Sequence, residues 1–222
     1  MTVLALDTTS ETGSLALRES GETIRETVMC SSEGFGHLIF PAIKRILSDS
    51  GIRLDRVDCF AAASGPGAFT GIRVGLSAVK GLAEALGKPA AGISNLRAMA
   101  SSGKSGRRAV VADARRGEVF AAIYDAGGVA MSPEVVAKFS AWLEALDPPP
   151  GEFIAPAGSP FRSLLADTRF RETPVLDAPR NLAAAIALCA ERDAEMGRLS
   201  DPAALDANYV RRSDAEMFWK DA

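Results

Sequence analysis

Residues 64–73 read S-G-P-G-A-F-T-G-I-R and come straight after Cys59-Phe-Ala-Ala-Ala63. The apolar run over 57–63 predicts a strand buried on both faces. The glycines at 65, 67 and 71 predict a loop that hands the chain to a helix over 74–86. Such a loop either cradles a phosphate or lets a helix pack close to its neighbour. A Walker A loop ends in Gly-Lys-Ser/Thr, because the lysine neutralises phosphate charge and the hydroxyl binds magnesium. Here Gly71 is followed by Ile72 and Arg73, and the next lysine is Lys80. The dinucleotide fingerprint G-x-G-x-x-G also fails, since these glycines are spaced G-x-G-x-x-x-G. What remains is general: N–H groups at a helix start favour an anion, with Thr70 as the expected cap. Ser64, Gly65, Gly67 and Thr70 are therefore the candidates here for a nucleotide phosphate or another anion.

Upstream, a first strand over 3–6 ends on Asp7-Thr8-Thr9-Ser10. The chain resumes after Gly13 as Ser14-Leu-Ala-Leu17, a hairpin, with a third strand over 24–29. Apolar residues at 39, 43, 46 and 47 recur at helical spacing. That helix begins near Phe40, so that Pro41 falls in its first turn, and Gly51 stops it. Downstream, Gly87 and Pro89 close the 74–86 helix, and a short strand (90–93) and a short helix (95–100) follow. The polar stretch Ser101-Ser-Gly-Lys-Ser-Gly106 marks a flexible boundary, giving domains at 1–103 and 104–222. Beyond it, Ala109-Val-Val-Ala112 runs into Asp113-Ala-Arg-Arg-Gly117 and then a strand over 118–124. Both halves thus open strand, Asp, turn, Gly, strand, with the aspartates 106 positions apart (113 minus 7). A helix over 139–146, a strand over 153–157 and an Ala-rich helix over 181–196 complete an α/β chain of two related halves.

Composition narrows the chemistry. A net charge of -3 over 222 residues carries no global basic footprint for nucleic acid. The arginine pairs 107–108, 115–116 and 211–212 are expected as solvated surface, with RNA contact left open. The N-terminus lacks a basic segment and Asp7 interrupts its apolar run, so no signal peptide is expected. No apolar stretch approaches a membrane span, and the chain is expected to be cytoplasmic. Cys30, Cys59 and Cys189 fit neither a disulfide framework nor a zinc spacing and are expected to be buried. A single histidine, His37, provides neither a two-His metal site nor, without a nucleophile elbow, a Ser-His-Asp triad. Asp7 and Asp113 either hold magnesium near a phosphate or stabilise their turns; together they point to a cleft between the halves. The 74–86 helix is apolar over most of its circumference and rich in small residues: Gly75, Ala78, Gly81 and Ala85. It is either buried in its own domain or covered on one face by a partner.

V-L-A-L-D-T-T-S (3–10), the segment A-A-A-S-G-P-G-A-F-T-G-I-R-V-G-L-S-A-V-K-G-L-A (61–83), D-A-R-R-G-E-V-F (113–120) and the terminal N-Y-V-R-R together resemble the TsaB (YeaZ) family of bacterial tRNA threonylcarbamoyladenosine biosynthesis proteins. The resemblance implies two duplicated actin/hexokinase-like (ASKHA, RNase H-like) domains, each a mixed sheet flanked by helices. It implies a non-catalytic partner of a TsaD carbamoyltransferase, acting with a TsaE ATPase. No catalytic residue, metal or cofactor is implied in the isolated chain; ATP or ADP with magnesium is an option at the complex interface. Pairing with TsaD, or with a second copy as a homodimer, would use the helices near 38–49 and 73–86. The interface residues would be Leu38, Ile39, Ala42, Ile46, Gly71, Arg73, Val74, Gly75, Ala78, Val79 and Leu82. Gly75→Leu is then expected to weaken the pairing and spare the fold. tRNA would be met only through the complex. The segment Glu33-Gly-Phe-Gly-His37 departs from the polar H-S-E type usual in the family. The competing reading is a small actin-like phosphotransferase or ATPase using Asp7, Thr8, Thr9 and Asp113; a peptidase lacks the groups it needs.

Overall fold

A computed structural model of the chain describes residues 1–211. The first three strands, β1 (Thr2–Asp7), β2 (Thr12–Glu19) and β3 (Glu22–Cys30), form an antiparallel meander. Helix α1 (Ile39–Ser50) leads to β4 (Cys59–Gly65), which lies parallel to β1 with Val3 opposite Cys59 and Leu6 opposite Ala62. Helix α2 (Phe69–Leu86) then leads to β5 (Ala90–Ser94), parallel to β4. The sheet order is β3-β2-β1-β4-β5. After α3 (Asn95–Ala100) come β6 (Arg107–Arg115), β7 (Glu118–Asp125) and β8 (Val135–Lys138), again antiparallel. Helix α4 (Phe139–Glu144), β9 (Glu152–Pro156), α5 (Phe161–Leu165) and β10 (Val175–Ala178) follow, and α6 (Ala183–Glu195) is the last helix. β9 is parallel to β6, and the second sheet runs β10-β9-β6-β7-β8. Each half therefore centres on its first strand, with a hairpin partner on one side and a parallel strand on the other. Asp7 and Asp113 stand near the ends of these two equivalent strands.

Alternation along the central strand sorts the core into layers. Leu4 and Leu6 join Leu15 and Leu17 under α1 and α2, whereas Val3 and Ala5 face α3 and α6. The second sheet buries Phe153 with Trp142, Phe161 and Phe170 under α4 and α5. Between the sheets lie α3 and α6, whose small and branched residues (Ala98, Ala183, Ile186, Ala190) fit a layer covered on both sides. Each half lends its last helix to the other: α3 packs against β6 and β7, and α6 against β1 and β2. Glu191 of α6 pairs with Arg18 of β2 at 2.6 Å, and Arg97 of α3 holds Asp193 of α6 in a bidentate pair at 2.6 and 2.8 Å. The strands divide between Ser94 and Arg107; the packing does not.

Several expectations are corrected. β4 continues to Gly65 and α2 begins at Phe69, so the expected ten-residue loop shrinks to 66–68. The α2 cap is Ala68, in extended backbone with no side-chain bond, so Thr70 lies inside the helix and caps nothing. The polar stretch over 101–106 is pinned: buried Glu152 accepts the N–H groups of Lys104 (2.6 Å) and Ser105 (2.8 Å). Buried Arg108 donates to the carbonyls of Ser105 (2.8 Å) and Ala100 (2.9 Å). Cys30 is exposed, unlike Cys59 and Cys189, because it closes the edge strand β3. The Gly34-Phe35-Gly36 segment sends Phe35 into the core beside Gly13 while His37 stays exposed. Among the described residues no helix is long and apolar enough to cross a membrane. Arg212 and the apolar tail segment 215–219 lie outside the described residues.

Candidate functional site

The turn after β1 is closed by a buried network of polar side chains. Asp7 is 2% exposed, and its Oδ1 accepts both the N–H (2.9 Å) and the hydroxyl (2.6 Å) of Thr9. The Thr9 hydroxyl oxygen in turn accepts from Asn95 Nδ2 (2.6 Å), while Asn95 Oδ1 accepts the N–H of Gly65 (3.1 Å). Burial pushes the Asp7 carboxyl above the ordinary carboxylate range, and the two bonds from Thr9 oppose that shift. Thr8 turns the other way and donates its hydroxyl to the carbonyl of Gly71 (2.7 Å). The Thr9 carbonyl takes the N–H of Ala68 (2.8 Å).

These bonds explain the glycines. A Cβ on Gly67 would lie 2.7 Å from Thr9 Cβ, and one on Gly75 would lie 2.6 Å from Thr8 Oγ1. Gly71 faces the Thr8 carbonyl more closely still. The start of α2 rides directly on the Asp7-Thr8-Thr9 turn, at a distance only glycine permits. The N–H groups of Gly65 and Ala68, which a phosphate nest would use, are committed to Asn95 and Thr9. The Ser64 carbonyl is committed to the N–H of Asn208 (2.8 Å). The residues present do not fit a magnesium–phosphate group at this turn. Among the described residues no cluster of three His, Cys, Asp or Glu side chains could hold a metal ion.

A cleft of about 1140 Å³ nevertheless opens between the halves, lined by both Asp7 and Asp113. The two aspartates differ in exposure. Asp113 is exposed, accepts the N–H of Arg115 (2.8 Å) and lies 3.7 Å from its guanidinium. One wall is the tail segment, whose role sequence reasoning did not assign. Asn208 donates to Glu134 (2.6 Å), a carboxylate that also accepts from Tyr124 and Ser94. The Tyr209 hydroxyl accepts from Arg73 (2.9 Å), and Arg211 pairs with Glu118 across the cleft mouth. The N-Y-V-R motif was the one available signal for this strap. Asn95 and Glu134 carried none, since a lone Asn or Glu in sequence has no spacing to read.

The helix pair expected to meet a partner is divided by burial. Ile39, Ile46, Gly75, Ala78 and Val79 face their own sheet, and Gly71 is pressed onto Thr8. They are core, not surface, because α2 must cover β1 and β4. Leu38, Ala42, Val74 and Leu82 are half-buried and Arg73 is exposed, so these five remain reachable. The outer row of α2 is Arg73, Ser77, Gly81 and Glu84, small and polar rather than apolar all round. Exposed Phe40 (55%) and Phe69 (44%) add apolar surface at the helix starts.

The comparisons with known proteins agree on one family. Residues 30–171 match the family described as "TsaD: tRNA N6-adenosine threonylcarbamoyltransferase". A Bacillus subtilis protein named tRNA threonylcarbamoyladenosine biosynthesis protein TsaB is 28% identical over 99% of this chain and 98% of its own length. The structure of YeaZ from Pseudomonas aeruginosa superposes with a TM-score of 0.76 at 26% identity, covering 94% of this chain and 99% of that one. A Thermus thermophilus hexokinase, at 12% identity and a TM-score of 0.52, covers 86% of this chain and 98% of its own and shares the fold alone. Two duplicated, actin/hexokinase-like halves thus carry a sequence that matches the TsaD-type domain family over more than half its length, and the chain belongs to that family and, by its relatives, to the TsaB/YeaZ proteins.

Proposed function

We propose that the chain is the non-catalytic subunit that binds and activates a TsaD-type carbamoyltransferase, together with a TsaE-type ATPase, in the cytoplasm. Its family makes it part of tRNA threonylcarbamoyladenosine biosynthesis; the accessory role is our reading. One observation carries it. The side chains that would do chemistry in this fold are spent on structure: Asp7 and Thr9 bond each other within the turn after β1, and Thr8 bonds the Gly71 carbonyl of α2. The partner then meets the outer face of α1 and α2, through Leu38, Ala42, Arg73, Val74 and Leu82, and a second copy of the chain would compete for the same face. ATP or ADP with magnesium belongs to the assembled interface, not to the isolated chain. The test is reconstitution of tRNA modification from the transferase and the ATPase, with and without this chain. Full modification in its absence, or steady ATP hydrolysis by the chain alone, overturns the reading.

A second reading, a small actin-like ATPase or phosphotransferase, is favoured by Asp7 and Asp113 lining one cleft. It is opposed by the closed state of Asp7. Tight magnesium-dependent ATP binding to the isolated chain by calorimetry, lost in Asp113→Ala, would select it.

A further inference from the structure

The cleft mouth concentrates arginines. The chain as a whole carries -3, yet the cleft is lined by exposed Arg115, Arg116 and Arg180 and half-buried Arg211. Among the described residues, Glu11, Asp113 and buried Asp7 line the same cleft, Glu118 pairs with Arg211, and Arg116 is itself engaged. Arg115 and Asp113 are 84% and 57% exposed at 3.7 Å, so that pair holds little of the guanidinium's charge. Arg180 is exposed and donates to no group of the described chain.

Two features make this more than a solvated rim. Arg115 and Arg116 both sit in left-handed backbone, φ 67° and 57°, at the tip of the β6–β7 hairpin. The two-residue turn is Arg116-Gly117, with the glycine that such turns favour in second place, while Arg115 ends β6 at a register shift, opposite Glu118; side chains at positive φ cost energy. Such outliers collect at functional sites, and here the two arginines are displayed at the cleft. The same cleft carries an aromatic ring in its lining. Tyr209 is 43% exposed, stacks on Phe69 with centroids 5.4 Å apart, and receives a hydrogen bond on its hydroxyl from Arg73 Nε. Arg73 also lies over the Phe69 ring, 3.8 Å from its centroid. A braced, exposed ring and guanidinium groups lining one cleft form the combination that unpaired nucleic acid uses, bases stacking and phosphates pairing.

We propose that the cleft mouth binds an unpaired stretch of RNA, one base stacking on Tyr209 and the adjoining phosphates meeting Arg115 and Arg180. The proposal rests on the tRNA-modification reading and assigns this chain a direct contact within that assembly. The full chain is titrated with a fluorescent ten-nucleotide single-stranded RNA of mixed sequence at low salt, with a duplex of equal length and free ATP as separate arms. The expected result is salt-dependent binding of the single strand. Tyr209→Ala is expected to weaken it about tenfold, Tyr209→Phe to preserve it, and Arg180→Glu to reduce the salt slope by about one phosphate contact. Circular dichroism melting confirms that each variant is folded; Arg180, exposed and unpaired among the described residues, supplies the variant whose fold is not at stake. No binding by the unaltered chain, equal binding of the duplex, unchanged binding of Arg180→Glu, or tight ATP binding that displaces the RNA each overturns the proposal. If the chain still supports tRNA modification in the reconstituted system, that failure is the RNA site's alone. If it does not, the accessory reading falls with it.

Discussion

The carbonyl oxygen of Thr8 occupies the space that a Cβ on Gly71 would need. Helix α2 and the turn after β1 are therefore fitted backbone to backbone, and the Thr8 hydroxyl completes the contact by donating to the Gly71 carbonyl at 2.7 Å. That relationship converts a glycine-rich stretch from a ligand loop into a joint. It also fixes which face of α2 turns outward, and hence which residues a partner can meet.

Glycines on the two faces of α2 should respond with opposite sign. Gly71→Ala forces a backbone shift, as overpacking does, and should cost about 1–3 kcal/mol. Gly81→Ala has open space around it and should gain up to about 1 kcal/mol from helix propensity alone. Gly75→Leu collides with Thr8 and Leu6 and should lose the fold before it reports on any interface. Urea unfolding of the three variants decides; equal stabilities for Gly71→Ala and Gly81→Ala would contradict the joint.

Partner binding should instead respond to the outward row. Gly81→Arg and Phe40→Asp change exposed positions, so each should leave stability within about 0.5 kcal/mol of the parent. Both should weaken association with the transferase by an order of magnitude. Gel filtration of the mixed proteins reads this directly, and complexes that persist unchanged with both variants would place the interface elsewhere.

Much of this was legible in the residues, and the misses have physical causes. The repeat of strand, Asp, turn, Gly, strand was visible because period-two burial on a central strand leaves a plain pattern. The start of α2 was misplaced by five residues because Gly71 reads locally as a helix breaker, whereas its tertiary neighbour, the Thr8 carbonyl, is what demands glycine. The same blindness sent Gly75, Ala78 and Val79 to a partner face: spacing shows that a helix is small and apolar, but not which side meets the sheet. Asn95 and Glu134 were missed because most of their hydrogen-bond partners are remote in sequence: Gly65 and Thr9 for Asn95, Asn208 for Glu134. Thr9 was found only through its neighbour Asp7.

The exchange of helices between halves should make Asp193 a keystone. It is 8% exposed and held by Arg97 and Arg198. Burial raises its carboxyl, but the bonds and charges of those arginines outweigh that and hold it below the ordinary range. A depressed carboxylate contributes stability that is present above the unfolded value of 3.8 and is lost as pH falls through the lower folded value. Asp193→Asn leaves Arg97 largely buried without its counter-charge and should cost about 3 kcal/mol at neutral pH. The deficit should shrink only in strong acid. A variant as stable as the parent at pH 7 would mean that α3 and α6 are held by apolar packing alone.

Asp7 should show the opposite sign. Its carboxyl is raised chiefly by burial, so the folded chain takes up a proton more readily than the unfolded one between 3.8 and the higher folded value. Stability contributed there grows as pH falls through that window, and at neutral pH the buried charge is a standing penalty. Asp7→Asn keeps an oxygen to accept the N–H and hydroxyl of Thr9 while removing the charge. The variant should therefore be more stable than the parent at pH 7, with the gain disappearing below about pH 4 as the parent carboxyl protonates. Urea midpoints at the two pH values make the comparison. A variant less stable than the parent at pH 7 would show that the ionised carboxylate, through its bonds from Thr9, holds the turn together after all. The outcome separates an aspartate kept for its shape from one kept for its charge.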